Sequence, residues 1–244
     1  MKVFLIGKTE VDLFPPNGSS RHVMPGKAEG SAFEKRVRQS ENFSVGNNEG
    51  QNLIEFAGRL CYESFHLPNE DTADNGSYVR HIVEQGHESV LEHVSVTFYV
   101  EGVSRNLTHE LIRHRHLSFS ELSQRFVNME DANTVMPPAF QGLGLAPLEP
   151  LGDNFKEKYK RAVQSLRDIG KTRKQAREAA RYGLPSGMET KLVVSGNLRA
   201  WRDVLKKRLS VHADAEIQEL AMKIWDILSY EYPDVFADIE YQED

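Results

Sequence analysis

The stretch "HVSVTFYVEGVSRNLTHELIRHRH", residues 93–116, restricts what this chain can fold into more than any other. Val94, Val96, Phe98 and Val100 alternate with Ser95, Thr97 and Tyr99, the period of two that turns one face of a strand toward a core. The period then changes. Ser104 is suited to cap a helix over "RNLTHELIRHRH", in which Leu107 and Leu111 share one stripe while Arg105, His109 and Arg113, four apart, share another. A half-buried strand feeding an amphipathic helix demands a sheet with helices packed on it, and it puts polar groups where strand and helix end.

The rest of the chain reads as fewer strands than helices. "KVFLIG" is a short apolar strand ending in glycine, whereas residues 14–50, rich in Gly, Ser, Asn and Pro, resist any period and are expected to form a surface insert. Leu53, Ala57, Leu60 and Cys61 recur at helical spacing, which places Cys61 on an apolar stripe as a buried structural thiol. A second helical pattern runs through Tyr78, Ile82 and Val83 and stops at Gly86. "LSFSELSQRFVNM" loses helical period, and Ser118 to Ser123 is read as a turn leading to a short strand. After the connector "MPPAFQGLGLAPLEPLG", the spacing predicts one helix over about 154–182, a strand at "TKLVVSG" and two further helices. Ser210 is the expected cap of the last, whose stripe is Ile217, Leu220, Ile224 and Ile227, leaving the joint with Arg208 and His212 open to a ligand. No internal repeat is present, and the 244 residues read as a single domain.

Charge and cysteine content exclude several classes. A net charge of −6 opposes broad binding to a nucleic acid polymer. The single cysteine cannot form an intramolecular disulfide, and "MKVFLIGKTEVDLF" is too short and too soon charged for a signal peptide. No run approaches the roughly 18–20 apolar residues of a membrane span, so a cytoplasmic protein is expected.

Against that acidity, "RHRHLSFSELSQR" (residues 113–125) concentrates three arginines, two histidines and three serines. One reading is a solvated basic face paired with Glu110 and Glu121. Another is single-stranded nucleic acid stacking on Phe119 and Phe126, which the surrounding acidity disfavours. The third is a compact anion site, since guanidinium forks, hydroxyls and loop amides together surround a phosphate. A metal centre is not expected: His87 and His93 are six apart and His109 and His114 five, where a zinc-binding helix needs four. Ser123 has no adjacent general base, and "GLGLAPLEPLG" opens no helix, so neither a serine nucleophile nor a dinucleotide fingerprint is expected.

Arg113, His114, Arg115 and, after seven further residues, Ser123 are similar to the R-H-R-x7-S signature of the flavin-dependent thymidylate synthases, the ThyX type. "GRLCYES", "GHESVLEH", "LPSGMETKLVVSGNLRAW" and "KRLSVHADAEIQELA" resemble further blocks of that family in family order; residues 14–50 do not. The resemblance implies an α+β fold, a twisted, mainly antiparallel sheet with packed helices, assembled as a homotetramer whose active sites are shared between chains. It implies reductive methylation of deoxyuridylate (dUMP) to thymidylate without a cysteine nucleophile. Methylenetetrahydrofolate would be the carbon donor, and NADPH the reductant through FAD. By motif position, Arg208 would be catalytic, stabilising charge on the ionised pyrimidine. Ser89, Arg113, His114, Arg115, Glu121, Asn197, Leu198 and Arg199 would contact FAD, with His87 and His212 flanking the isoalloxazine or its substrates. Asp203 matches a flavin position often held by asparagine or histidine. Glu110, Leu111, Ile112, Arg113, Glu121, Leu122, Ser123, Gln124, Arg125, Arg181 and Arg208 would line dUMP, Glu110 standing where the family often has glutamine.

Overall fold

The computed structural model describes residues 1–11, 48–65, 72–140 and 154–241. The insert expected at 14–50 therefore lies outside the described residues except at its end, where Asn48 already caps a helix, and most of the Pro/Gly connector lies outside them too.

Four strands, β1 (Lys2–Lys8), β2 (Ser95–Ser104), β3 (Ser118–Glu121) and β4 (Glu189–Asn197), form one sheet in the order β1-β2-β4-β3. Its register is antiparallel. Along β1 the partners on β2 descend: Lys2 Nζ lies 3.2 Å from Glu101, the Phe4 and Tyr99 ring centroids are 6.2 Å apart, and the Thr9 amide donates to the Ser95 carbonyl at 3.0 Å. The same descent relates β2 to β4, with the Thr97 and Ser195 hydroxyls 2.8 Å apart and the Arg105 amide 3.1 Å from the Met188 carbonyl. The α+β expectation holds, but β3 occupies Ser118–Glu121 itself, where the sequence suggested a turn before a strand. The turn precedes it.

The chain divides into two compact units, the first of Met1–Phe4, Phe98–Val194 and His212–Leu220, the second of Leu5–Thr97, Ser195–Val211 and Ala221–Asp244. In the first, Met129, Phe155, Tyr159, Ala180 and Met188 form a core flanked by Leu122, Val163 and Leu184. The single helix expected over 154–182 is two. After α4 (Asn154–Asp168) the chain turns at Gly170, with φ +85°, and Thr172 restarts it as α5 (Arg173–Ala180) through a reciprocal capping box with Gln175. A 3₁₀ turn, Arg181–Gly183, follows. The first unit also holds α3 (Arg105–Leu111), capped by Ser104 as its sequence predicts, though the helix ends before Arg113.

In the second unit, α1 (Glu49–Tyr62) and α2 (Asn75–Glu84) are capped by Asn48 and Asp74, and Gly86, with φ +70°, ends α2's turn as expected. Cys61 is exposed, not buried. The face α1 buries is instead Gln51, Asn52, Ile54, Glu55, Gly58 and Arg59. Most of its polar groups are matched: Arg59 binds Glu55 at 2.7 Å and the Thr72 carbonyl at 2.9 Å, and Gln51 donates to Asp234 at 2.8 Å, although the Gln51 side-chain oxygen has no donor. A 3₁₀ helix, Glu88–His93, leads into β2, and β4 leads into α6 (Leu198–Arg208). The last long helix, α7 (Ala215–Glu231), is capped by Asp214, whose side chain accepts the Glu216 amide at 2.9 Å; Ser210 is not its cap. A short α8 (Pro233–Phe236) follows. Ile217, Leu220 and Ile224 of the α7 stripe are buried. No helix among the described residues is long and apolar enough to cross a membrane.

Candidate active site

The signature segment belongs to the first unit, and its geometry starts at the end of β2. The Ser104 hydroxyl accepts the Leu107 amide at 3.1 Å while the buried Glu216 carboxylate accepts the Ser104 amide at 2.7 Å and its hydroxyl. This fixes where α3 begins. Leu107 and Leu111 face the core, so Arg105 and Thr108 turn toward β3, where Glu121 takes Arg105 at 3.0 Å and Thr108 Oγ1 at 3.1 Å. A cleft of about 310 Å³ opens here, lined by Arg105, Thr108, His109, Glu121, Gln124 and Ser186 among others. Of the sequence-predicted residues, Glu121, Gln124 and Ile112 line it. Arg105, Thr108, His109 and Ser186 were not assigned roles from sequence, although the four-residue stripe of Arg105 and His109 was the signal.

Past α3 the chain turns through Arg113–His116 into β3. Arg113 and Arg115 are exposed, and among the described residues their guanidiniums meet no carboxylate, whereas His114 between them is only 8% exposed. After β3 the Ser123 carbonyl accepts the amides of Phe126 and Val127 at 3.1 and 3.0 Å, closing a turn over Ser123–Arg125. The Leu122 amide donates to the Lys191 carbonyl at 3.0 Å, tying this turn to the sheet. The buried Nε–H of Arg125 has no hydrogen-bond acceptor; Glu178 stands 3.5 Å away without hydrogen-bond geometry. Arg181 lies half-buried in the turn after α5. Leu111 is wholly buried and Glu110 half-buried; His212 is exposed.

The remaining predicted residues lie in the second unit, on two elements that brace each other. His87 and Ser89 are exposed at the start of the 3₁₀ helix. Asn197 caps α6, its side-chain carbonyl accepting the Ala200 amide at 2.8 Å, which leaves its NH₂ available. Leu198 is wholly buried and its amide donates to the Val94 carbonyl at 2.9 Å. Arg199 pairs with Glu92 at 2.6 Å, and Asp203 with Lys207 at 2.6 Å. Arg208 is the last residue of α6 and is half-buried.

Beneath them lies a residue that sequence did not single out. Arg202, with a side chain 1% exposed, donates to Glu88 at 3.0 Å, to both oxygens of Asp238 at 2.6 and 2.8 Å, and to the Val235 carbonyl. Burial pulls Arg202 toward losing its proton, but the hydrogen bonds and charges of Asp238 and Glu88 outweigh it and hold the guanidinium above its ordinary value. Asp238 is held below its ordinary value, first by the hydrogen bond from Arg202.

Residues 45–234 match the family model described as thymidylate synthase complementing protein. Among curated relatives, the flavin-dependent thymidylate synthase of Mycobacteroides abscessus is 46% identical over 208 residues, 82% of this chain and 83% of that one. Its counterpart in Corynebacterium diphtheriae is 44% identical over 201 residues, 79% and 80% of the two chains. A crystal structure of thymidylate synthase X from Helicobacter pylori with FAD and dUMP superposes with a TM-score of 0.55 at 26% identity, covering 78% of this chain and 93% of that one. On the match over residues 45–234 and on relatives this similar over four fifths of its length, the chain belongs to the flavin-dependent thymidylate synthase family.

Proposed function

We propose that this chain methylates dUMP reductively to thymidylate, taking a methylene group from methylenetetrahydrofolate and reducing equivalents from NADPH through FAD. The observation that carries the reading is the state of the signature arginines: Arg113 and Arg115 are exposed without a carboxylate partner among the described residues, and the buried Nε–H of Arg125 lacks an acceptor. A fold gains nothing from such donors. They fit a nucleotide phosphate and a flavin pyrophosphate, the groups such donors would satisfy.

Ser123, Arg125 and Arg181 bind dUMP through its phosphate, with Glu110, Leu111, Ile112, Glu121, Leu122 and Gln124 lining the nucleotide. Arg113, His114 and Arg115 contact the flavin, Arg113 also reaching the nucleotide. Ser89, the Asn197 amide, Leu198, Arg199 and Asp203 bind FAD, with His87 and His212 beside its ring. Held by these residues, FAD would supply the two-electron chemistry that links NADPH oxidation to the reductive methylation. Arg208 stabilises the anion left when the pyrimidine loses its N3 proton, which raises electron density at C5, the carbon to be methylated. No cysteine is required. The exposed Cys61 lies outside the signature segment, on α1. The family match spans both compact units, which supports their acting as one catalytic domain. The enzyme works in the cytoplasm as a homotetramer whose chains share active sites.

The test is anaerobic reduction of the flavin-loaded protein by NADPH with and without dUMP, followed by thymidylate formation on adding methylenetetrahydrofolate. Bleaching accelerated by dUMP and product formation are expected; a protein that binds no flavin would overturn the reading. Arg208→Ala should keep its flavin and lose turnover by about 10²–10³-fold.

A further inference from the structure

The α4–α5 hairpin carries more positive charge than the fold and the proposed chemistry use: Arg161 pairs with Glu157, Arg167 and Arg177 bond main-chain carbonyls and Arg181 is assigned to dUMP, which leaves most of the lysines and Arg173 unassigned. Residues 154–184 hold ten lysines and arginines against Glu157, Asp168 and Glu178, a net of +7 in a chain whose total is −6, so the remainder carries −13. Packing takes only the inner faces: Phe155 and Tyr159 from α4, Ala176 and Ala180 from α5. Lys158, Lys160, Lys171, Arg173 and Lys174 point outward, and none has a carboxylate partner among the described residues. Three of these cations, Lys171, Arg173 and Lys174, flank the start of α5, where the first turn holds no acid and the helix dipole disfavours positive charge. Their placement costs the fold stability.

This surface has a shape and a direction. An open groove of about 640 Å³ runs along α5, lined by Thr172, Lys174, Gln175, Glu178, Ala179 and Tyr182, of which Tyr182 is 87% exposed. Lys174 is the cation of this lining and Glu178 its acid, and Lys171 and Arg173 flank Thr172 in the chain where the groove meets the start of α5. It is fastened to the signature segment: Arg177 donates to the Phe126 carbonyl, Glu178 stands beside Arg125, and Leu122 packs on the core that holds Phe155 and Tyr159. The helix ends at Arg181. From Lys174 to Arg181 is about 10 Å of helix, so an anion chain lying on the groove leads to the phosphate-binding arginines.

Resting on the proposed function, we infer that the α5 groove binds the γ-linked glutamate tail of the folate co-substrate. That tail is an extended polycarboxylate whose outer carboxylates match the Lys171, Arg173 and Lys174 cluster at the start of α5 and whose methylene stems can lie against the Tyr182 ring. A single-glutamate folate brings too few carboxylates to reach this cluster along the groove, while added glutamates extend the charge to it. Separations of this size fall near the screening length of physiological salt, so the gain is salt-sensitive.

The experiment compares methylenetetrahydrofolates bearing one and five glutamates, in the wild-type holoenzyme and in the triple variant Lys171→Glu, Arg173→Glu, Lys174→Glu. Acids in the first turn suit the helix dipole, and the Thr172–Gln175 capping box is untouched, so the variant should fold. The wild type should show a KM about tenfold lower for the pentaglutamate, shrinking with added salt. In the variant the two KM values should converge, with kcat on the monoglutamate unchanged. Equal KM values in the wild type, or a tail effect that survives in the variant, overturn the inference while leaving the synthase intact. Tight binding of an RNA oligomer lost in the variant, without a tail effect, also overturns it and gives the surface to nucleic acid. Absence of synthesis from either folate would instead overturn the proposed function.

Discussion

Arg202 and Arg113 are the same residue type in opposite circumstances. Arg202 is sealed in the second unit with every edge of its guanidinium taken by Glu88, Asp238 and the Val235 carbonyl, while Arg113 stands exposed in the first unit without a carboxylate among the described residues. A cation that is buried and saturated has been given to the fold. One that is exposed and unmet is held for something that arrives. Charge counts cannot tell these apart, and exposure with pairing can.

The comparison predicts its largest effect at Arg202. Arg202→Met keeps the volume but leaves Glu88 and Asp238 with Lys206 alone, at 3.5 and 3.6 Å; losing one partner of a buried ion pair costs about 3–5 kcal/mol, and the partial exposure of both acids together with this remaining cation puts the expected value at about 2–3 kcal/mol. Chemical denaturation should read it directly, and a loss under about 1 kcal/mol would mean that the cluster is not structural. Arg113→Met should leave the unfolding midpoint within about 0.5 kcal/mol of wild type.

A smaller effect of the same cluster is visible in acid. Asp238 has a folded pKa depressed below its ordinary 3.8, so the stability it contributes is full above that ordinary value. It is lost as pH falls through the lower folded value. Wild type should therefore lose stability below about pH 4 more steeply than Asp238→Asn, which has already given up that contribution. Parallel acid-unfolding curves would show that Arg202 does not hold Asp238 ionised.

These differences also mark what the sequence could tell. The alternation in β2, the Ser104 cap and the clustered arginines were legible because each is local: the residues that make the pattern are neighbours. Cys61 was misplaced because α1 buries Gln51, Glu55 and Arg59 by hydrogen-bonding them, so hydropathy pointed to the wrong face. Arg202 was passed over because its acids lie 114 and 36 residues away along the chain, a pairing no spacing rule can find. The break at Gly170 and the Asp214 cap are single-residue choices among several that local chemistry allows.

Arg125 lies between the two extremes, 39% exposed beside a carboxylate it does not properly engage. Arg125→Ala should weaken dUMP binding about tenfold by titration, the worth of one charge-assisted hydrogen bond, with little change in stability. Unchanged affinity would move Arg125 to the structural side.

Arg199 gives the smallest effect and the sharpest test, because here exposure and pairing disagree. It is half exposed, as a ligand-binding cation should be, yet it already has Glu92 at 2.6 Å. Exposed pairs of this kind contribute about 0.2–1 kcal/mol, since solvent screens them and two long side chains must be held still. Such a pair can be exchanged for a ligand at little cost. Arg199→Ala should therefore shift stability by under about 0.5 kcal/mol and loosen FAD several-fold. Glu92→Gln frees the guanidinium and should tighten FAD or leave it unchanged. If Glu92→Gln loosens FAD as much as Arg199→Ala does, the ion pair itself shapes the flavin position, and exposure alone is then too coarse a sign of a cation held for a ligand.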